Sequence, residues 1–288
     1  MQDRLLSTVA IAISLLLVGC SGAPPTSPSE QYFADARSSL KTSDFNVALK
    51  NLERAIKSAG DEPVGQRAAV LRVALVTALA DAGKQMAEAY AVGAKEPAAQ
   101  SRLGPFNRMR SDYYGIARSR LMDAMQSMMD QRSKLSSNPM PIEVSFPGST
   151  GGTDPAVVRI KSGQWISDTE RVAAELQTDR NALARILSAL AGAGQDSNKG
   201  QQIFSSGKVE IDPRVYIIEV SGSFLQIGGM FEARVLDEPD HLRTTNEVVR
   251  GNLDIALKLL AAKPDKDLEA RVKKMRAECE KTLKKLGP

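Results

Sequence analysis

Few side chains in this chain have types and spacing suited to chemistry, and they lie far apart. His241, the single histidine, follows Asp240 and is the one imidazole that a His-based nucleophilic triad could use. Such a triad needs a serine or cysteine whose proton the ring can accept, and no Gly-x-Ser-x-Gly turn offers one. One histidine with two cysteines, Cys20 and Cys279, falls short of a zinc ligand set. Gly148-Ser149-Thr150-Gly151-Gly152 is rich in glycine, but it has neither the lysine nor the following helix start of a phosphate loop. Asp237, Glu238 and Asp240 gather before a helix, where negative charge complements the N-terminal dipole. From these residues the chain is expected to be non-catalytic, with no metal and no cofactor. Cys279 has two readings: a reactive or intermolecularly bridging thiol, or a small apolar residue on the inner face of the last helix.

Cys20 has a different chemistry, set by what precedes it. Arg4 is followed by an apolar run of 14 residues, Leu5 to Val18, and then by Gly19. A positive start, an apolar middle and small residues at the cut make a secretory signal. The run is shorter than the roughly 20 residues that a membrane-spanning helix needs. The ending Leu17-Val18-Gly19-Cys20 resembles the lipobox of bacterial lipoproteins. That resemblance implies removal of residues 1–19, a diacylglyceryl group on the Cys20 sulfur and an acyl chain on its amine. Each buried CH2 contributes about 0.8 kcal/mol, so three chains hold a protein on a bilayer where one does not. The implied address is the bacterial cell envelope. Ser21, the residue after the cysteine, suggests the outer membrane, facing the periplasm, where a cell has two membranes.

Without residues 1–19 the chain has 269 residues, enough for one or two domains. Aromatics make up 5% and the formal charge is +4, from 38 basic and 34 acidic residues. This mixed, mildly basic balance does not suggest nucleic acid. Residues 20–29, with Pro24, Pro25 and Pro28, read as a lipidated cysteine and its tether.

Helical periodicity fills most of the rest. Residues 30–137 form a helical region: Tyr32–Leu40, Phe45–Ile56, a long stretch from Gly65 to Ala94 that breaks at Gly83, and a helix from Pro105 to about Leu135. In this last helix Phe106, Met109, Tyr113, Ile116, Leu121, Met125 and Met128 form the inward stripe. Together with Met122 and Met129 they could also make an adaptable binding surface. Residues 138–166 are irregular, with a possible β-hairpin near 142–160 that pairs Ile142–Phe146 with Val157–Ile160. Residues 167–288 are helical again. Ser167 and Glu170 form a capping box for a helix through Val172, Leu176, Leu183, Ile186, Leu187 and Leu190. Residues 191–207 read as loop. Asp212-Pro213 starts an apolar helix to Phe231, in which Gly222 and Gly229 suggest close helix–helix approach. Pro239 and Asp265 start the last two helices. Leu268, Val272, Met275, Cys279 and Leu283 form the final stripe. Lys273, Lys274, Arg276, Lys281, Lys284 and Lys285 form a basic face, either solvated or turned to anionic lipid.

The run Asp44-Phe45-Asn46-Val47-Ala48-Leu49-Lys50-Asn51-Leu52-Glu53-Arg54-Ala55-Ile56 resembles the second helix of a tetratricopeptide repeat, and Tyr32–Leu40 resembles the first. Ala36, Ala48 and Ala55 stand where the family places small residues and Leu52 where it places a large one. Gly60 replaces the closing proline and Ser39 the usual aromatic. Poorer echoes lie at Leu75–Ala94 and Asn252–Leu260. The expected fold is mostly α, built of antiparallel, tetratricopeptide-like helix pairs. Repeats of this kind make concave surfaces that hold other chains, so the resemblance implies a non-catalytic scaffold or adaptor whose partners are envelope proteins. The alternative is a carrier with a small ligand or lipid between helices near Tyr113, Tyr114, Met122–Met129 and Val215–Phe231.

Overall fold

The computed structural model describes residues 27–60, 62–135, 138–143, 152–194 and 208–287. The expected signal (residues 1–19), Cys20 and the loop residues Gly148–Gly151 lie outside these, as does most of the 191–207 loop.

The described chain is mostly helical. The first two helices, α1 (Pro28–Lys41) and α2 (Phe45–Ala59), form the expected pair. Ser27 caps α1 by accepting from the Glu30 amide, and Asp44 caps α2 by accepting from the Val47 amide at 3.1 Å. Phe33, Ala36 and Leu40 of α1, with Ala48, Leu52 and Ala55 of α2, bury the facing stripes. The tether expected through Ser29 therefore ends sooner. Pro28 opens α1, and Ser29 is fully buried with its hydroxyl donating to Glu62 at 2.6 Å.

At the centre is α3 (Pro63–Gly93), which packs against α2 and four later helices: α4 (Leu103–Arg132), α5 (Pro155–Lys161), α6 (Asp168–Leu190) and α7 (Pro213–Gly228). It is long and apolar enough to cross a membrane, but here most of it is buried in the protein core. The break expected at Gly83 does not occur, and no two-helix unit forms at Leu75–Ala94. A Cβ on Gly83 would stand 3.3 Å from the Ala117 nitrogen, so this glycine admits the α4 backbone instead of ending the helix. Glycine costs a helix interior about 1 kcal/mol relative to alanine, which close helix contact can offset.

A 3₁₀ turn, Pro97–Arg102, leads into α4, which starts at Leu103, two residues before the expected Pro105. Its stripe is inward at Phe106, Tyr113, Leu121, Met125 and Met128, but Ile116 is half-exposed. Val172 on α6 is also exposed, although its expected position was on the inner face.

The two-stranded sheet is antiparallel; its first strand shares residues 142 and 143 with the expected Ile142–Phe146, of which residues 144–146 lie outside the described residues, and its partner is a different one. Strand β1 (Met140–Glu143) pairs with β2 (Lys208–Ile211) in the register Met140↔Ile211 to Glu143↔Lys208. Residues 157–160 instead belong to α5. Asp154 accepts from the Ala156 amide at 2.7 Å and Pro155 occupies the first helical turn. Val157 and Ile160 are buried while Val158 is exposed, a spacing of three that suits a helix and not a strand.

The capping box is formed: the Ser167 amide donates to Glu170 at 2.9 Å, and the Glu170 amide donates back to the Ser167 hydroxyl. Asp212 caps α7, and a 3₁₀ turn, Gly229–Phe231, ends it. The remaining helices are α8 (Pro239–Ala262) and α9 (Lys266–Leu286). Close approach of α7 and α8 occurs at Gly228, where a Cβ would meet Thr245 at 2.8 Å. Gly222 and Gly229 have no such neighbour. Buried residues from every region, Phe33 to Cys279, form one hydrophobic cluster.

Candidate functional site

The residues singled out for chemistry are dispersed. The His241 ring stacks on Phe231 with centroids 5.1 Å apart, and its Nδ1 lies 3.3 Å from Glu238. Glu238 also accepts from Arg118 at 2.8 Å, so this one carboxylate ties the start of α8 to α4. Asp237 occupies the turn before it, with φ of 55°. Cys279 is fully buried, and burial pushes its thiol up to about 11, far from nucleophilic range. Among the described residues no group of three or more His, Cys, Asp or Glu could hold a metal ion. Lys281, Lys284 and Lys285 line an open surface on α9.

Among the described residues the methionines named for a ligand are packed. Met125 and Met128 are core residues, and Met122 and Met129 pack against the core. The crevice at Ser223, Gln226 and Ile227 holds only about 10 Å³, no more than a water's worth of space. Two further open spaces flank α6.

On one side of α6 is an aromatic corner. Tyr90 of α3 stacks on Tyr113 of α4 at 5.7 Å and meets Phe106 edge-on at 5.5 Å. Trp165, from the turn between α5 and α6, meets Phe106 edge-on at 5.6 Å. This tryptophan, the only one in the chain, is 37% exposed. Arg102 lies over its face, 5.8 Å from the ring centroid, and Leu103 beside Arg102 is half-exposed. A trough of about 440 Å³ runs past Arg102, Gly163, Trp165 and Ser167. Gly163 has φ of 80°, and a Cβ there would stand 2.8 Å from Glu96, so the turn that presents Trp165 favours glycine.

Polar residues continue this side along the α4–α6 seam. The Tyr113 hydroxyl donates to Glu175, which also accepts from Arg171 at 2.6 Å. Burial pushes Tyr90 up to about 12 and carries Tyr113 higher still. Asp179 is raised to about 7 by burial and then by the Glu175 carboxylate, against the pull of Arg120. Arg180 donates to Ser43 at 2.8 Å, fastening the α1–α2 turn, where Ser43 has φ of 62°.

On the other side is a polar cleft of about 260 Å³ between α3, α5 and α6. Its walls include Gln85, Glu88, Asp154, Lys161, Asn181 and Arg185. Several of these are held before any ligand arrives. Asp81 accepts from both Gln85 and Arg185 at 2.8 Å. Asn181 donates to the Gly152 carbonyl at 3.0 Å and accepts from Gln177 at 2.9 Å. Thr178, also in the wall, donates to the Ala174 carbonyl.

Sequence reading did not single out Trp165 or the cleft. The lone tryptophan after Gly163 was the available signal for the first. The second had none, because its walls come from three separate helices. No protein-family model, curated protein or solved structure matches this chain.

Proposed function

We propose that this chain is a lipid-anchored envelope protein whose helical body is a non-catalytic adaptor, docking other envelope proteins at the aromatic corner. The observation that carries this reading is Trp165, half-exposed beside Arg102 and Leu103 and backed by buried Phe106 and Tyr90. Tryptophan and arginine are the side chains that most often dominate binding energy at protein interfaces. A rigid aromatic base keeps the entropy cost of ordering them small. The α1–α2 pair, with alanines at its contacts, supports reading residues 30–60 as a degenerate tetratricopeptide-like unit.

The anchor rests on the lipobox resemblance at Cys20 and is tested by intact mass of the membrane-extracted protein. The expected species starts at Cys20 and carries three acyl chains. An unmodified Cys20 terminus or a retained Met1 overturns it. Docking is tested with a photo-crosslinking residue at position 165 in cells, against the same residue at exposed Lys50 on α2. Recurrent envelope adducts at 165 but not at 50 support the adaptor. An absence of adducts at 165 in intact, membrane-bound protein removes it. A second reading, a small-ligand carrier, is favoured by the polar cleft and predicts a co-purifying small molecule in native mass spectrometry.

A further inference from the structure

The cleft between α3, α5 and α6 has an unusual balance of charge. Two of its charged walls are neutralised by side chains: Arg185 pairs with Asp81 at 2.8 Å and Glu88 with Lys84 at 2.5 Å. Two are not. Among the described residues Lys161 forms no ion pair. The Asp154 carboxylate accepts from the Ala156 amide but meets no cation. One charge of each sign is therefore left facing the cleft.

These two charges cannot neutralise each other directly. They stand at the two ends of α5, seven residues apart, which is about 10 Å along a helix axis. A ligand that satisfies both must carry a positive group toward Asp154 and a negative group toward Lys161, with a comparable distance between them. Extended peptide spans about 3.3–3.6 Å per residue, so the free termini of a peptide three residues long have this reach. The same walls offer donors and acceptors suited to peptide groups, Gln85, Asn181 and Thr178, with Gln85 and Asn181 already held by neighbours. At about 260 Å³ the cleft lies just below the 300–1,000 Å³ of common ligand sites, which limits the ligand to small residues.

We infer that this cleft binds a short zwitterionic peptide of three small residues, its ammonium toward Asp154 and its carboxylate toward Lys161. The inference rests on the carrier reading and is independent of the adaptor reading.

The test is calorimetric titration of the full chain, purified in detergent, with trialanine, N-acetyl-trialanine and trialanine amide. Trialanine is expected to bind, and blocking either terminus is expected to weaken binding at least tenfold. Lys161→Met removes an exposed charge and is expected to weaken trialanine while leaving the weak binding of the amide unchanged. Asp154→Asn keeps a good helix cap and is expected to weaken trialanine without changing N-acetyl-trialanine. No binding of trialanine at millimolar concentration overturns the inference, as does binding indifferent to both blocked termini or to both substitutions. A different small molecule retained in native mass spectrometry, with trialanine not bound, overturns the peptide while leaving the carrier reading intact.

Discussion

Two helices lie along the same central helix α3 and meet it in opposite ways. At the α4 seam, Gly83 faces the Ala117 backbone, Ala117, Leu121 and Ala124 are fully buried, and one polar bridge, Arg72 to Asp123 at 2.8 Å, joins the two helices. At the α6 seam, α3 presents Asp81, Gln85 and Glu88, and α6 answers with Thr178, Asn181 and Arg185. These side chains need hydrogen-bond partners, and burying them unpaired would be costly. The second seam is crossed by the Arg185–Asp81 bridge and keeps an open cleft beside it. One helix thus supplies a close-packed face and a face beside a cleft, and helix separation follows the side chains placed between the axes.

The largest effect is expected where α3 is most crowded. A Cβ on Gly93 would sit 2.0 Å from the Ile160 carbonyl, which is backbone and cannot rotate away. Gly93→Ala is expected to cost about 4 kcal/mol, at or above the upper end for overpacking, despite alanine's better helix propensity. Urea denaturation measures it, and a neutral result would mean that α5 is free to shift.

Next is the apolar part of the α4 seam. Leu121→Ala is expected to cost about 2–5 kcal/mol as a core truncation. A loss below 1 kcal/mol in the same assay would mean that the α4 seam is no better packed than the cleft side. At the polar seam, Asp81→Ala leaves Arg185 and Gln85 without their shared acceptor, with an expected cost of about 1–3 kcal/mol. A cost equal to that of Leu121→Ala would erase the contrast.

The last effect depends on pH. Asp179 is raised from 3.8 to about 7 by burial and the neighbouring Glu175 carboxylate. Between these values the folded chain holds a proton that the unfolded chain has lost, so this group lowers stability as pH rises. Asp179→Asn is expected to raise Tm at pH 8 and leave it nearly unchanged at pH 4. A gain independent of pH would place the benefit in packing and not in titration.

How far the fold could be read ahead depended on how local each signal was. The Ser167–Glu170 box and Asp212-Pro213 each announced a helix start, because capping is settled within one turn. The pair Asp154-Pro155 carried the same signal and opens α5. The short apolar run Val157–Ile160 outweighed it in the reading as a strand, and a run of four cannot distinguish the two periods. The partner of β1 was not legible at Met140–Glu143, because β2 lies more than 60 residues away and pairing is settled by what the core brings together. Ile116 and Val172 fit an inward stripe by spacing, yet neighbouring helices cover only part of each face. The candidate sites were less legible still. Trp165 was visible as a residue, but its exposure over a buried aromatic base depends on α3 and α4.

The sequence by itself determined the helical class, most helix boundaries and the resemblance at Cys20, since capping, periodicity and the signal pattern act over a few residues. Only the tertiary structure decided that Gly83 would be a contact and not a break, that β1 would pair with β2, and that polar residues of α3, α5 and α6 would enclose a cleft. These outcomes turn on which surfaces meet across long stretches of chain, where burial and hydrogen bonding between distant segments outweigh local preference.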